Sequence, residues 1–368
     1  MPLFLRAVAL CLCLSLVTCT DAVEPIFDFE AGFLLVEGRI TDTPGRNDVR
    51  LARSEILFDN YTLVPIAGAT VAVIDSDGEE VIWAATNENG VYRAPEDFAA
   101  QPGKTYYLRA TTPAGEVIES TPEGVPTNVP IADIRVRFQQ DAYFSDSRNR
   151  FIPAFDLLVD VEDPGDEENF YQYTFTAFEQ ISICATCMRQ VYRNGQCIDG
   201  NVPVFVSEYD YLCDVPCWVV NRQAGRNVMS DAFGNGRRIE DVLAGRYDWR
   251  RPGGLLLVTQ QMTTSRASYE YNSVIEDLAE GGGGLNAPLP AALVGNLSDL
   301  SENETPVLGF VGVASVSNQR VYINRESFGG VALPFDSQIR LEPVMPSPPV
   351  APCEGTFRTR AEPDGWEG

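Results

Sequence analysis

The chain has 368 residues, of which 45% are hydrophobic and 21% are charged, so it can bury a core in one large or two medium domains and is not disordered. Its 52 acidic residues outnumber its 27 basic residues, and the net charge of −25 disfavours nucleic acid as a partner. The absence of histidine excludes Ser/His and Cys/His nucleophile pairs, HExxH zinc sites and an imidazole general base. Composition therefore favours a binding or structural protein.

One short motif bears on nucleotide chemistry. The triplet Gly103-Lys104-Thr105 contains the only lysine and resembles the end of a phosphate-binding loop. Such a loop also requires a glycine five residues before Gly103, and Phe98 occupies that position. Nucleotide hydrolysis is not expected, and no cofactor is predicted.

The first 18 residues predict an export signal. Arg6 provides the charged start, and the apolar run 7–17 is too short to span a bilayer. The signal ends in Leu16-Val17-Thr18-Cys19, which resembles the bacterial lipobox, where the cysteine is lipidated and becomes the mature N-terminus. We expect Cys19 to carry the lipid and residues 19–32 to form a tether. The alternative is an ordinary signal peptide, with Cys19 an incidental thiol.

Short β-rich runs separated by turn signals fill residues 33–135. They lie at 33–40, 48–53, 69–74, 81–86, 91–93 and 106–110. The turn sequence Asp75-Ser76-Asp77-Gly78 predicts a hairpin between the third and fourth runs. Strands at this spacing predict an antiparallel β-sandwich. The stretches 65–71 and 89–92 resemble a transthyretin-like or carboxypeptidase-regulatory-like module.

Residues 136–344 predict a second β-rich domain with one packed helix. Strands are expected near 135–138, 155–161, 170–175, 202–206, 218–220, 255–260, 307–316 and 320–324. Ser265 can cap the helix, Tyr271, Ile275 and Leu278 recur at helical spacing, and glycines at 281–284 end it. Four prolines predict an extended tail over 345–368. No later segment reaches the ~20 apolar residues of a membrane helix, so a soluble body is expected.

Six cysteines remain beyond the signal and the lipidation point. They are Cys184, Cys187, Cys197, Cys213, Cys217 and Cys353. An even number in an exported chain favours disulfides that cross-link the loops between 183 and 218 and pin the tail through Cys353. The alternatives are a zinc site formed by the 184–187 and 213–217 pairs and, with less support, a redox-active Cys-x-x-Cys.

The acidic loop at 162–168 is a candidate calcium site. Asp163, Asp166 and Glu168 could supply carboxylate ligands, but the loop lacks the regular ligand spacing and the glycine of a known calcium loop. The alternative is a solvated turn, and no other metal site is predicted.

Two further features are compatible with ligand chemistry. Tyr171, Tyr173, Tyr209 and Tyr211 could stack on sugars or peptides if exposed, or could belong to the strand core. Paired carboxylates for glycoside hydrolysis are defined by their separation in the fold, which the sequence does not give. No catalytic residue is predicted.

The order of several short motifs resembles a Bacteroidota lipoprotein family called domain of unknown function 4249. The matching segments follow Cys19 at 35–42, 49–54, 65–71, 163–171, 217–218, 265–271, 288–296, 307–310, 352–353 and 363–366. The family usually ends in Cys-x-x-Cys, whereas Thr356 occupies the second cysteine position here, so one family bridge is missing or rewired.

This resemblance covers nearly the whole mature chain and implies a lipoprotein anchored in the outer membrane, at the cell surface. The family has no established activity, and its members are often encoded beside TonB-dependent transporters of the starch-utilisation type. We therefore predict a non-enzymatic accessory or ligand-binding component of such a transporter, with an oligosaccharide or a peptide as ligand. The alternatives are a carboxylate-based surface hydrolase and a structural or assembly factor of the cell surface.

Overall fold

A computed structural model describes residues 32–45, 47–58, 60–188, 190–193, 196–199, 209–223, 227–279, 293–302, 305–333, 353 and 357–367. The predicted signal peptide, Cys19 and the predicted strand at 202–206 lie outside the described residues. The described part of the chain is mostly β and contains one α-helix.

The N-terminal region consists of short strands joined by tight turns. They are β1 (Leu34–Thr41), β2 (Asp48–Leu57), β3 (Asn60–Pro65), β4 (Thr70–Asp75), β5 (Glu80–Ala85), β6 (Val91–Arg93), β7 (Thr105–Thr111), β8 (Val117–Ser120) and β9 (Glu123–Gly124). β4 and β5 form the predicted hairpin. Its turn is stabilised by Asp75, whose Oδ1 accepts hydrogen bonds from the backbone N of Asp77 (2.9 Å) and Glu79 (3.0 Å).

These strands pack as a sandwich around one apolar core. The sheet that contains β4, β7 and β8 contributes Val71, Val73, Leu108, Ala110 and Ile118. The facing strands β1, β2 and β6 contribute Leu34, Val36, Ile40, Val49, Leu51 and Tyr92. Their strands alternate buried and more exposed side chains, which is why the sequence pattern predicted a sandwich.

The remaining strands include the longest ones of the described chain, and the helix α1 (Arg266–Ala279) packs against three of them. They are β10 (Ile131–Ser145), β11 (Arg150–Glu162), β12 (Phe170–Met188), β13 (Gln190–Arg193), β14 (Gln196–Asp199), β15 (Tyr209–Arg222), β16 (Asn227–Ser230), β17 (Arg238–Asp248), β18 (Gly254–Thr264), β19 (Leu297–Asp299), β20 (Val307–Asn324) and β21 (Arg358–Thr359). The sheet β10-β11-β17 packs on β12 and β18 through a second core that includes Phe155, Leu157, Tyr173 and Leu257.

One parallel strand pair joins the sandwich to the rest of the molecule. β1 pairs with β20 over its full length, with Val36 opposite Gly309. Gly309 has a φ of +110°, and a Cβ there would lie 2.0 Å from the carbonyl oxygen of Val36, so only glycine fits. Backbone pairing then continues from β20 through β18, β12 and β15 to β21.

The helix begins as the sequence predicts. The Oγ of Ser265 accepts a hydrogen bond from the backbone N of Ser268 (3.1 Å), which is the geometry of an N-cap. Tyr271 is buried, whereas Leu278, near the end of the helix, is 48% exposed. Of the three residues at helical spacing, the last therefore does not belong to the core.

Two of the differences from the predicted elements lie in the C-terminal region. The strands expected at 307–316 and 320–324 are one continuous strand, β20, which pairs with β18 along its whole second half. β17 was not predicted, because Arg238, Glu240, Asp241 and Arg246 break the apolar alternation that marks a strand. The domain boundary predicted at 135 falls inside β10.

Candidate functional site

A cavity of about 280 Å³ opens where the sandwich meets helix α1, and we call it the junction cavity. Its lining residues come from β1, β2, the loop at Glu88, β6, β12, α1 and β20. They are Glu37, Gly38, Arg39, Asp48, Val49, Arg50, Glu88, Val91, Gln172, Ser268, Tyr271, Asn272, Phe310 and Gly312. Most of these side chains are polar or charged.

Strand register creates the charged wall of the junction cavity. Glu37 lies opposite Arg50, and Arg39 lies opposite Asp48 in the β1–β2 pair. Because residues two apart on a strand share a face, these four side chains form a patch in which positive and negative charges alternate. The wall therefore offers hydrogen-bond donors and acceptors side by side.

The helix and β20 form the opposite wall. The rings of Tyr271 and Phe310 have their centroids 5.1 Å apart, which gives the cavity an aromatic side. A Cβ at Gly312 would lie 3.3 Å from the Oγ of Ser268, so the glycine lets the helix pack closely here. Asn272 donates from Nδ2 to the carbonyl of Ser268 (2.7 Å), which fixes its amide.

The acidic residues of the cavity lie beside arginines. Glu88 accepts from Arg50 at 2.6 Å, and both side chains are more than half exposed. Asp48 lies 3.7 Å from Arg93. Arg39 reaches across to β18, where its Nη1 lies 3.5 Å from the sulfur of Met262. Such exposed pairs contribute only ~0–1 kcal/mol to stability, so they can exchange partners with a bound molecule at low cost.

Comparison with known proteins gives the family. A family model described as Domain of unknown function (DUF4249) matches residues 20–320. The chain belongs to this family. No curated protein matches the chain.

Four of the ten segments that resemble DUF4249 meet at the junction cavity. Segment 35–42 supplies Glu37 and Arg39, segment 49–54 supplies Arg50, segment 265–271 supplies Ser268 and Tyr271, and segment 307–310 supplies Phe310. They are distant in the sequence, and the β1–β20 pair and the packing of α1 bring them together. Sequence reasoning did not find the cavity. The opposite charges at spacing two in Glu37/Arg39 and Asp48/Arg50 were the available signal.

The structure does not bring the three predicted calcium ligands together. Asp163 is buried, where it accepts from the hydroxyl of Tyr171 and, at 3.0 Å, from the backbone N of Gly236. Glu168 pairs with Arg266, and Asp166 is exposed. Within the described ranges no group of three metal-ligating side chains lies close enough to hold an ion. The alternative interpretation, a solvated turn, fits the exposed Asp166 and Glu168 but does not fit the buried Asp163.

The buried Asp163 changes the chemistry of its neighbour. Burial, and then the hydrogen bond to this carboxylate, raise the pKa of the Tyr171 phenol well above its usual value. Tyr171 and Tyr173 are both buried, so they belong to the strand core and are not a stacking surface. The side chains of Tyr209 and Tyr211 lie outside the described residues.

One predicted disulfide is present. Cys217 on β15 is bonded to Cys353, so the tail is pinned as the sequence predicted. A disulfide sulfur is not a thiolate ligand, which removes Cys217 from the alternative zinc site. The side chains of Cys184, Cys187, Cys197 and Cys213 lie outside what the structure describes, and their pairing stays a prediction. No helix among the described residues is long and apolar enough to cross a membrane.

Proposed function

We propose that this protein is a non-enzymatic, lipid-anchored component of the outer membrane that binds a polar ligand for a TonB-dependent transporter. The observation that supports it is the junction cavity, in which four of the segments that resemble DUF4249 contribute charged side chains and an aromatic pair. Charged groups that hydrogen-bond hydroxyls or amides, next to a ring that covers an apolar face, are typical of sites that recognise oligosaccharides or peptides.

Binding is favoured over catalysis by the partners of the acidic groups. Glu88 and Asp48 each lie beside an arginine, an arrangement that offers a ligand hydrogen-bond donors and acceptors side by side. The chain also has no histidine that could replace them as a general acid or base. Anchoring is supported by the sequence Leu16-Val17-Thr18-Cys19, and Cys19 is the proposed lipidation site.

The transporter association is tested by purification from native membranes. A tagged full-length chain should co-purify with a TonB-dependent transporter, identified by mass spectrometry. Cys19→Ser should lose the lipid and leave the membrane fraction. Repeated isolation of the lipidated chain alone would contradict the association.

The ligand site is tested by glycan and peptide arrays, followed by titration of the best array compound. Arg50→Gln should weaken binding of that compound about tenfold, because it removes one charge-assisted hydrogen bond. Arg109→Gln is the matched control: Arg109 also pairs across strands with a glutamate, Glu119, but lies outside the cavity. Equal effects of the two substitutions, or turnover of the compound, would contradict the proposal.

A further inference from the structure

A second cavity of about 490 Å³ lies beside β12, and we call it the arginine cavity. Its lining residues are Phe175, Glu179, Val219, Asn221, Arg222, Gln223, Arg246, Tyr247, Asp248, Arg250, Arg251, Phe357 and Arg358. Phe175 lies on the face of β12 opposite to Gln172 of the junction cavity, because the two residues are an odd number of positions apart. The two cavities are therefore separate.

The charge of this lining opposes the charge of the whole chain. Five arginines and two acidic residues line the cavity, which gives a formal charge of +3 in a protein whose net charge is −25. Arg246 is paired from behind with the buried Asp156. Of the two acidic residues, Glu179 is already neutralised from behind by the buried Arg325. The other, Asp248, lies 2.8 Å from Arg250. A concave surface with this excess of positive charge attracts anions.

A hydrogen-bonded network fixes the floor of the arginine cavity. Arg325 is 1% exposed and donates to Glu179 and to the carbonyls of Pro252, Gly253 and Gly254. Tyr247 donates from its hydroxyl to Glu179 (2.9 Å). Burial, and then the charge of Glu179, raise the pKa of this phenol above its usual value, so it stays a donor. A floor held in this way needs little reordering when a ligand binds.

The outer wall is supplied by the tail. The Cys217–Cys353 disulfide holds the tail next to β15, where the backbone N of Val220 donates to the carbonyl of Phe357 (2.9 Å) and Arg358 pairs with Val219. This placement brings Arg358 to the cavity and leaves the ring of Phe357 70% exposed at its rim. The disulfide thus positions two of the lining residues.

We propose that the arginine cavity binds an acidic sugar, with its carboxylate on the arginines and its ring face on Phe357. The planar guanidinium matches a carboxylate with two parallel hydrogen bonds, and an exposed aromatic ring covers the apolar face of a pyranose. Gln223 adds an acceptor for a sugar hydroxyl, since its buried Oε1 has no hydrogen-bond partner among the described residues. The volume lies within the range of small-molecule sites.

The test is calorimetric titration of the oxidised, full-length protein with trigalacturonate. We expect binding that weakens as salt is added, and an affinity at least about tenfold lower for the fully methyl-esterified trisaccharide, which carries no charge. Absence of binding, or equal affinity for the ester, would overturn the proposal. Tighter binding of a triglutamate peptide would overturn the assignment to a sugar.

Substitutions locate the binding to this cavity. Arg358→Gln and Arg250→Gln should each weaken trigalacturonate binding about tenfold. Arg109→Gln should leave it unchanged, because Arg109 lies outside the cavity. Cys353→Ser should weaken it as strongly as Arg358→Gln, while circular dichroism reports that the β-structure is retained.

The junction cavity provides a separate control. Arg50→Gln should leave trigalacturonate affinity unchanged, whatever the outcome of the array experiment, because Arg50 does not line the arginine cavity. A loss of trigalacturonate binding in Arg50→Gln without a loss in Arg358→Gln would move the acidic sugar to the junction cavity and overturn the proposal.

Discussion

The exposed pair Arg50–Glu88 of the sandwich and the aspartates of β11 differ in how they are held. In the sandwich, Arg50 and Glu88 form a pair in which both side chains are more than half exposed. On β11, Asp156 and Asp160 are almost fully buried beneath arginines from the neighbouring strands β10 and β17. The same residue types thus provide an adaptable surface in one region and structural cross-links in the other.

Strand register explains the cross-links. Asp156 lies directly opposite Arg137 on β10 and Arg246 on β17, so each of its oxygens accepts from a different neighbour. Asp160 accepts from Arg135, from Arg238 and from the backbone N of Asp241. Because each aspartate of β11 accepts hydrogen bonds from both neighbouring strands, it links three strands, whereas an exposed ion pair does not.

The largest effect is expected at the most buried pair. Arg325→Met should destabilise the fold by about 3–5 kcal/mol, because it leaves Glu179 buried without a counter-charge. It also removes the guanidinium donors to the carbonyls of Pro252 and Gly254. Urea denaturation measures this loss. The double variant Arg325→Met with Glu179→Gln should recover part of it, and a double variant that is less stable than Arg325→Met would contradict the explanation.

A smaller loss is expected at β11. Arg246→Gln should cost about 1–3 kcal/mol in the same measurement, because Asp156 keeps Arg137 as a partner. Arg250→Gln is the matched control on the same strand end, where the arginine pairs with Asp248 near the surface. If Arg246→Gln lowers the free energy of unfolding no more than Arg250→Gln does, burial of the ion pair does not determine its contribution to stability.

Acid should weaken the cross-links of β11. The pKa of Asp160 is lowered, and the largest cause is the hydrogen bond from Arg135. Burial alone would raise the pKa of Asp156, but hydrogen bonds from Arg246 and Arg137 outweigh it, and the pKa is lowered. A lowered carboxyl pKa stabilises the fold above about pH 4 and ceases to do so as the pH falls through the folded-state value.

The measurement is the melting temperature between pH 6 and pH 2. The parent chain should lose stability steadily below about pH 4. Asp160→Asn should be less stable at pH 6 but lose less on acidification, since it has one carboxylate fewer to protonate. A variant whose melting temperature falls as steeply as that of the parent would contradict this role of Asp160.

The smallest effect is expected in the sandwich. Arg50→Gln should change the free energy of unfolding by less than about 1 kcal/mol, because the pair is exposed and screened by salt. Its effect should instead appear in ligand binding at the junction cavity. A stability loss comparable to that of Arg246→Gln would remove the distinction between the two regions.

The features that the sequence predicted are local. The β4–β5 hairpin follows from a turn that Asp75 closes within four residues, and the start of α1 follows from Ser265 and the residue three positions later. The alternation of the sandwich strands likewise needs no distant partner. For this reason the sequence was sufficient to predict a mostly β architecture with one helix.

The features that were missed depend on distant partners. From the sequence alone Arg246 would be assigned to the surface, but in the fold Asp156 on β11 lies opposite it and accepts its hydrogen bond. Tyr171 was a candidate ligand contact, but in the fold its hydroxyl donates to the buried Asp163. Both cavities combine residues more than 100 positions apart, such as Arg50 with Tyr271 and Glu179 with Arg358. No local pattern specifies such neighbours.

The parallel pairing of β1 with β20 also sets an order of assembly. β1 pairs with β2 on one side as soon as both are available, but its other edge has no partner until residues 307–314 arrive. During synthesis this leaves an open strand edge, which is prone to intermolecular pairing. This edge of β1 is therefore closed only after most of the chain has been made.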